Sequence, residues 1–261
     1  FSGHEIVGMT YQQVPNSIVW CVRDDGLLLG MTYIKEQEMF AWHHHTTQGQ
    51  FIDVCSISGN TEDALYVVVE RNGSYYVEMM AAQNQTANPA EQFYVDAVIT
   101  LENVKAVTGL TWLEGQEIQM LADGNVLPEE TVKDGRIKRS QTVEKMTLGL
   151  GYTSTLKTLP IEPQGDDGSY MSRKKRATKL MVLFEKTRGG LYGLSDDDKR
   201  LDEIKWRSNE PYNTPIGLFT GKKYVVLPHA TFDETQQRVV KQKDPLPMKI
   251  LALLPEVVVS G

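Results

Sequence analysis

Three short runs carry residue types that could do chemistry. The first is His43-His44-His45. Imidazole is a common metal ligand, and on a strand His43 and His45 would share one face while His44 points to the other. A metal would need a third ligand, for which Asp53 on the next predicted strand is the nearest candidate. The plainer reading is a strand end beside a turn, with the rings packed on Trp42 or solvated, and the incomplete ligand set favours it. The second run is Arg173, Lys174, Lys175 and Arg176, followed by Lys179. These cations could hold an acidic neighbouring subunit or phosphates in a salt-sensitive contact. The opposing reading is a solvated strand entrance balanced by Asp166-Asp167 and Asp196-Asp197-Asp198, and a strand would split the cations alternately onto two faces. The third run, Asp196-Asp197-Asp198, invites a hard cation. It lacks the alternate ligand spacing, following glycine and distal Glu of a calcium loop, so loop solvation is favoured.

Other chemistries lack their residues. The chain has no Gly-x-Ser-x-Gly, no Walker-type glycine loop and no His-Glu-x-x-His, and Gly149-Leu150-Gly151 lacks the setting of a dinucleotide site. Carboxylates are plentiful, and a glycosidase pair is decided by separation in space, which sequence does not give. Trp20, Trp42, Tyr75, Tyr76, Trp112 and Trp206 could build a sugar-stacking platform. Aromatics in strands more often fill a core or the space between propeller blades, and that reading is favoured. No catalytic residue, cofactor or metal is expected.

The elements that must position these residues are strands. Ile18-Val19-Trp20-Cys21-Val22-Arg23, residues 27–33, 39–45 and 51–55 read as one four-stranded antiparallel sheet, the first pair joined through Asp25-Gly26 as a two-residue turn. A further hairpin, residues 64–70 and 75–80, turns at Asn72-Gly73. A meander followed by a hairpin resembles a propeller blade and the start of the next, and fewer than two blades cannot close a propeller. Residues 81–89 form a polar linker ending in Pro89. Short strands over 93–100, 117–121, 125–127, 130–133, 136–138 and 143–150, with turns at Asp123-Gly124 and Asp134-Gly135, predict a small barrel or sandwich. Beyond residues 159–168 comes a long strand at 177–186 and then extended segments. Pro211, Pro215, Pro228, Pro245, Pro247 and Pro255 favour edges, bends and loops there. No stretch has the sustained 3.6-residue period of a long helix. The expected fold class is mainly β and multi-domain: a partial propeller-like meander (1–82), a small β-barrel or sandwich (83–160) and a proline-rich extended β C-terminal region (161–261).

Composition bounds the class further. With 261 residues, 41% hydrophobic and 23% charged, the chain has an ordinary globular composition and enough length for two or three domains. No apolar run approaches the roughly 20 residues of a membrane span, and the start has no signal-peptide pattern. The absence of an initiator Met reads as a chain lacking its N-terminal part. A net charge of −7 argues against a general nucleic-acid binder. Cys21 and Cys55 fall in predicted strands and read as buried thiols, with an inter-strand disulfide as the other reading.

Four segments resemble a tail component of tailed bacteriophages, the nozzle or tail tubular protein B family of short-tailed phages. They are Asn16-Ser17-Ile18-Val19-Trp20-Cys21-Val22-Arg23-Asp24-Asp25-Gly26 with Ala41-Trp42-His43; Leu113-Glu114-Gly115-Gln116 through Leu121-Ala122-Asp123-Gly124; Gly151-Tyr152-Thr153-Ser154-Thr155-Leu156-Lys157-Thr158-Leu159-Pro160; and Asp244-Pro245-Leu246-Pro247-Met248 running to Leu251-Ala252-Leu253-Leu254-Pro255-Glu256. These are structural motifs spanning nearly the whole chain in order. The resemblance implies a C-terminal fragment of a non-catalytic virion structural protein, located in the phage tail and made in the host cytoplasm. Its implied partners are copies of itself in a ring, usually a hexamer, adjacent tail proteins, and double-stranded DNA passing through a lumen without specific binding; no membrane is implied. The alternative is a carbohydrate- or receptor-binding tail module.

Overall fold

The computed structural model describes residues 3–82, 86–162, 164–165, 168–169, 173–206, 209–211, 214–227 and 230–260, with side chains throughout except at 139–141, 164, 165, 168 and 169. Strand makes up 57% and helix 5%, so the protein is mainly β, built from several sheets of which one curls into a half-barrel. The helical residues lie in single 3-10 turns such as Lys35–Gln37 and Asp198–Arg200. No helix among the described residues is long and apolar enough to cross a membrane. The chain divides into two compact units, Phe1–Asn84 and Gln85–Gly261.

The first unit holds two antiparallel sheets. One is β1 (Ile6–Gln12), β2 (Ile18–Arg23), β3 (Leu28–Ile34) and β4 (Met39–His45) in sequential order; the other is β5 (Gln50–Ile57), β6 (Ala64–Arg71) and β7 (Ser74–Met79). This corrects the expectation that residues 51–55 close the first sheet. β5 pairs with β6 instead, and the fourth place is taken by β1, which precedes the expected sheet and pairs with β2. The two sheets face one another over Trp20, Val22, Leu28, Phe51, Val54 and Val67, with β5 against β1 and β2. Polar bonds fix that stacking: Ser56 N–H donates to Thr10 Oγ1 at 3.1 Å, and Asp63 Oδ2 accepts from the backbone of Gln13 and Val14.

Turn chemistry set most of the register. Asn72-Gly73, Asp123-Gly124 and Asp134-Gly135 all have positive φ at both residues, the mirror-image turn that matches strand twist. Asp25-Gly26 differs, because Gly26 alone is left-handed, and the connection spans residues 24–27.

The second unit contains the longest strands. β8 (Asp96–Thr108), β9 (Glu117–Ala122), β10 (Asn125–Thr131) and β11 (Arg136–Leu150) form a sheet ordered β10-β9-β11-β8. Strands expected separately at 136–138 and 143–150 are one strand, its pairing with β8 broken by an irregularity between Lys138 and Val143. Met120, Met146, Leu148, Ile118, Leu113 and Val132 make its core. β12 (Ser154–Lys157) and the two-stranded β13 (Gln164–Gly165) and β14 (Gly168–Ser169) follow. β15 (Lys175–Thr187) is then flanked by β18 (Phe219–Val226) and β20 (Lys249–Val259), while β16 (Leu191–Gly193), β17 (Leu201–Glu203) and β19 (Val239–Gln242) complete a sheet ordered β12-β19-β16-β17. Their shared core is Leu180, Val182, Phe184, Tyr192, Ile204 and Val225. Pro255 sits within β20, an edge strand, the part of a sheet that accommodates proline; Pro228 lies outside the described residues.

β6 gives a direct test of the register. Leu65 is 1% exposed on the face toward β1–β4, whereas Val77 on β7 is 74% exposed on the opposite face. Urea unfolding should show Leu65→Ala costing about 3 kcal/mol and Val77→Ala within about 0.5 kcal/mol of the parent. Equal losses would mean that the faces are assigned the wrong way round.

Candidate functional site

The histidine tract is a packed feature of the first unit. His43 and His45 share the face of β4 turned toward β5–β7, and their ring centroids are 5.1 Å apart. Both rings pack on Trp20, at 5.4 and 5.3 Å. The expected partner was Trp42; that side chain instead points to the opposite face, since strand alternation separates it from both histidines. Gly30 lies in register between Trp20 and His43, and a Cβ there would overlap His43 Nε2, so the missing side chain makes room for the imidazole. Trp20 Nε1 donates to Gln12 Oε1 at 3.0 Å, whereas His45 Nε2 is buried with no hydrogen-bond partner. Asp53 uses Oδ1 to accept the Val54 N–H at 2.8 Å. A chelating arrangement is thus not what His43, His45 and Asp53 form.

Burial holds these imidazoles neutral. It lowers His43, and it brings His45 down to about 4, with the neighbouring histidines adding to the effect. The folded protein therefore binds fewer protons here than the unfolded chain, and stability falls as pH drops from about 6.5 through about 4. Unfolding of the parent between pH 7 and pH 4 should lose about 3 kcal/mol more than a His45→Leu variant. Parallel pH profiles for the two proteins would contradict the assignment.

One group of metal-ligand type comes together among the described residues, and the sequence reading missed it. His4, Asp24 and Asp25 place ligand atoms within 4.8 Å of one another. The group is exposed and internally satisfied: His4 Nδ1 is 2.9 Å from Asp24 Oδ1, and the Arg23 guanidinium binds Asp25. Hydrogen bonds from His4 and Arg23 hold the two carboxyls below their usual range. With Arg23 already supplying the counter-charge, the arrangement is an ion-pair cluster joining the β2–β3 turn to the start of β1.

The basic run does not form one patch. Arg173, Lys174, Arg176 and Lys179 are exposed, but Lys175 is 0% exposed. Its Nζ donates to Ile161 O and Glu162 Oε1, both at 3.1 Å, and its backbone pairs with Asp233. Lys175 must be withdrawn from the proposed patch, because strand alternation turns it into the core beside Ala177. Lys179 faces Glu256 at 3.8 Å. The expected counter-charges also differ. Asp196 and Asp198 pair with Lys241, Asp198 also binds Lys243, and Asp197 caps the 3-10 turn through the Lys199 N–H. The lysine ammonium groups hold Asp198 low, and the aspartates hold Lys241 high. Asp166 and Asp167 lie outside the described residues.

Further cations are buried with no sequence cue. Arg238, 1% exposed, donates to the carbonyls of Gln236 and Gln237 at 2.7 and 3.0 Å, and Arg188 to that of Ile216 at 3.0 Å. Burial lowers both guanidinium groups. Buried cations bonded to carbonyls fix loop positions, and removing one leaves several acceptors unmet. The cysteines are both free; Cys21 is buried, which pushes its thiol up, while Cys55 is exposed on the other sheet, correcting the reading of two buried thiols.

The aromatic residues divide likewise. Trp20 is core, and Trp206 packs on Phe184 and Phe219 beneath Lys223. Trp42 and Tyr75 are exposed, against the expectation that they fill a core. They belong to two uncovered apolar faces. On β1–β4 the rows Met9-Cys21-Leu29 and Tyr11-Val19-Met31-Trp42 run across the sheet, with Phe40 beside Tyr33. On β5–β7 the outward residues include Ile57, Tyr75, Val77 and Met79.

No family model matches the chain, and no curated protein matches it. The residues themselves bring together packing surfaces and ion clusters. Lys175→Ala should cost about 3 kcal/mol in chemical unfolding, leaving Glu162 and the Ile161 carbonyl unpaired, whereas Lys174→Ala should be near neutral. Equal small effects would show that Lys175 is solvated.

Proposed function

We propose that this chain is a non-catalytic structural protein of a bacteriophage tail, similar to the nozzle or tail tubular protein B of short-tailed phages. It is a β building block around the path of ejected DNA, in the virion. The observation that carries the reading is that both sheets of the first unit are apolar on both faces. A sheet that ends in solvent alternates apolar and polar residues; one inside a stack of sheets does not. The meander of β1–β4 followed by β5–β7, with the leading strand β5 set against β1, supports propeller-like blades. Residues 83–160 as a small β-barrel or sandwich and 161–261 as a β extension complete the proposed division. Charge supports the DNA path: residues 1–84 hold 10 acidic and 3 basic side chains, against 24 and 24 in residues 85–261, giving the first unit all of the net −7. Such a surface repels a phosphate backbone. Copies of the chain, in a ring near six, and adjacent tail proteins are the proposed partners.

Exposed Tyr11, Phe40 and Trp42 on one face favour a second reading, a carbohydrate- or receptor-binding tail module. Light scattering with negative-stain electron microscopy, beside a glycan array, separates the two. The structural reading expects discrete open rings and no selective glycan. A monomer that binds one glycan class saturably would replace it with the binding module.

A further inference from the structure

The sheet β18-β15-β20 has an uncovered outer face with a definite pattern. Met181 lies between Leu254 and Tyr224, the latter 71% exposed, and Val226 and Val258 extend the apolar strip. Cations stand at its two ends, Arg176 and Lys179 at one, where Lys179 faces Glu256 at 3.8 Å, and Lys222 at the other; Lys222 is in register with Leu183. The opposite face of the same strands turns Leu180, Val182, Phe184 and Val225 into the core, so the outer pattern is not set by that core.

The outer face of β1–β4 shows the reverse charges around a similar centre. Met9, Tyr11, Phe40 and Trp42 occupy the middle. Glu36 and Glu38 lie with Lys35 at the β3–β4 end, and Glu5 lies at the β2–β3 end beside Asp24 and Asp25, which His4 and Arg23 already engage. Exposed fractions of 57, 67, 50, 60 and 52% at Val7, Met9, Tyr11, Phe40 and Trp42 leave roughly 600 Å² of side chain uncovered. That approaches the about 800 Å² per partner of a stable protein interface.

We propose that the β18-β15-β20 face of one copy docks on the β1–β4 face of a second copy. Apolar centres meet, and basic ends meet acidic ends. The inference rests on the reading of the chain as a self-assembling structural protein and names the surfaces by which it would assemble. Because the two faces differ, the contact is heterologous: repeated, it closes into a ring or continues as a filament. Electrostatic complementarity of this kind sets orientation and makes association sensitive to salt.

The test is sedimentation velocity of the whole chain over a hundredfold concentration range at about 0.05 M and about 0.5 M salt. Association should weaken with salt. Arg176→Glu with Lys222→Glu should raise the dissociation constant about tenfold or more, as should Glu36→Lys with Glu38→Lys. All four side chains are exposed, so circular dichroism and the thermal midpoint should stay at parental values. An equimolar mixture of the two double variants should form pairs at parental affinity, because the unaltered β18-β15-β20 face of one variant meets the unaltered β1–β4 face of the other. Association unaffected by either variant or by salt would overturn this contact while leaving rings, seen by microscopy, in support of the tail reading. A monomer throughout would overturn the contact as well. The tail reading itself falls only with selective glycan binding by that monomer.

Discussion

A β-sheet has two faces, and packing one against a core leaves the other to be accounted for. In the first unit that constraint organises everything else. β1–β4 and β5–β7 bury Trp20, Val22, Phe51 and Val67 between them, yet their outward residues are again Met, Tyr, Val, Phe and Trp. The same alternation that places His43 and His45 on the packed side puts Trp42 on the open one. Surface of this size and chemistry exceeds what scattered exposed apolar residues explain.

The second unit solves a different problem, that of cations drawn inside. Lys175, Arg188 and Arg238 are accommodated because backbone carbonyls from loops turn toward them. The loops in turn lose freedom, which fits the extended, proline-bearing course of the C-terminal region. Lys241 shows a related solution at the surface, where Asp196 and Asp198 close over its ammonium group. Positive charge in this part of the chain is therefore divided between structural bonds and exposed side chains such as Arg176 and Lys222.

Much of the strand content was legible because its causes are local. Asn72-Gly73 and Asp123-Gly124 tolerate positive φ at low cost, so hairpins there follow from residue type. What escaped was pairing between strands distant in sequence or unmarked by a turn. β1 begins with Ile6-Val7-Gly8-Met9, which has no flanking Asn-Gly or Asp-Gly, and it displaced residues 51–55 from the first sheet. The join of 136–138 to 143–150 depends on β8 running alongside both segments. His4 reached Asp24 and Asp25 only because β1 pairs with β2 and brings residues 20 apart into contact.

The sequence by itself determined that this is a mainly β protein, where most of its chain reverses, and that its acidity is concentrated in the first third. Local propensity, turn chemistry and charge are properties of residues in order. Only the tertiary structure decided which face each residue occupies, since one place of register exchanges inside for outside. It was register that buried Lys175 while leaving Arg176 in solvent, and set Trp42 on the open side of the sheet. The same register made His45 a half-buried, neutral residue, because its ring was placed against Trp20.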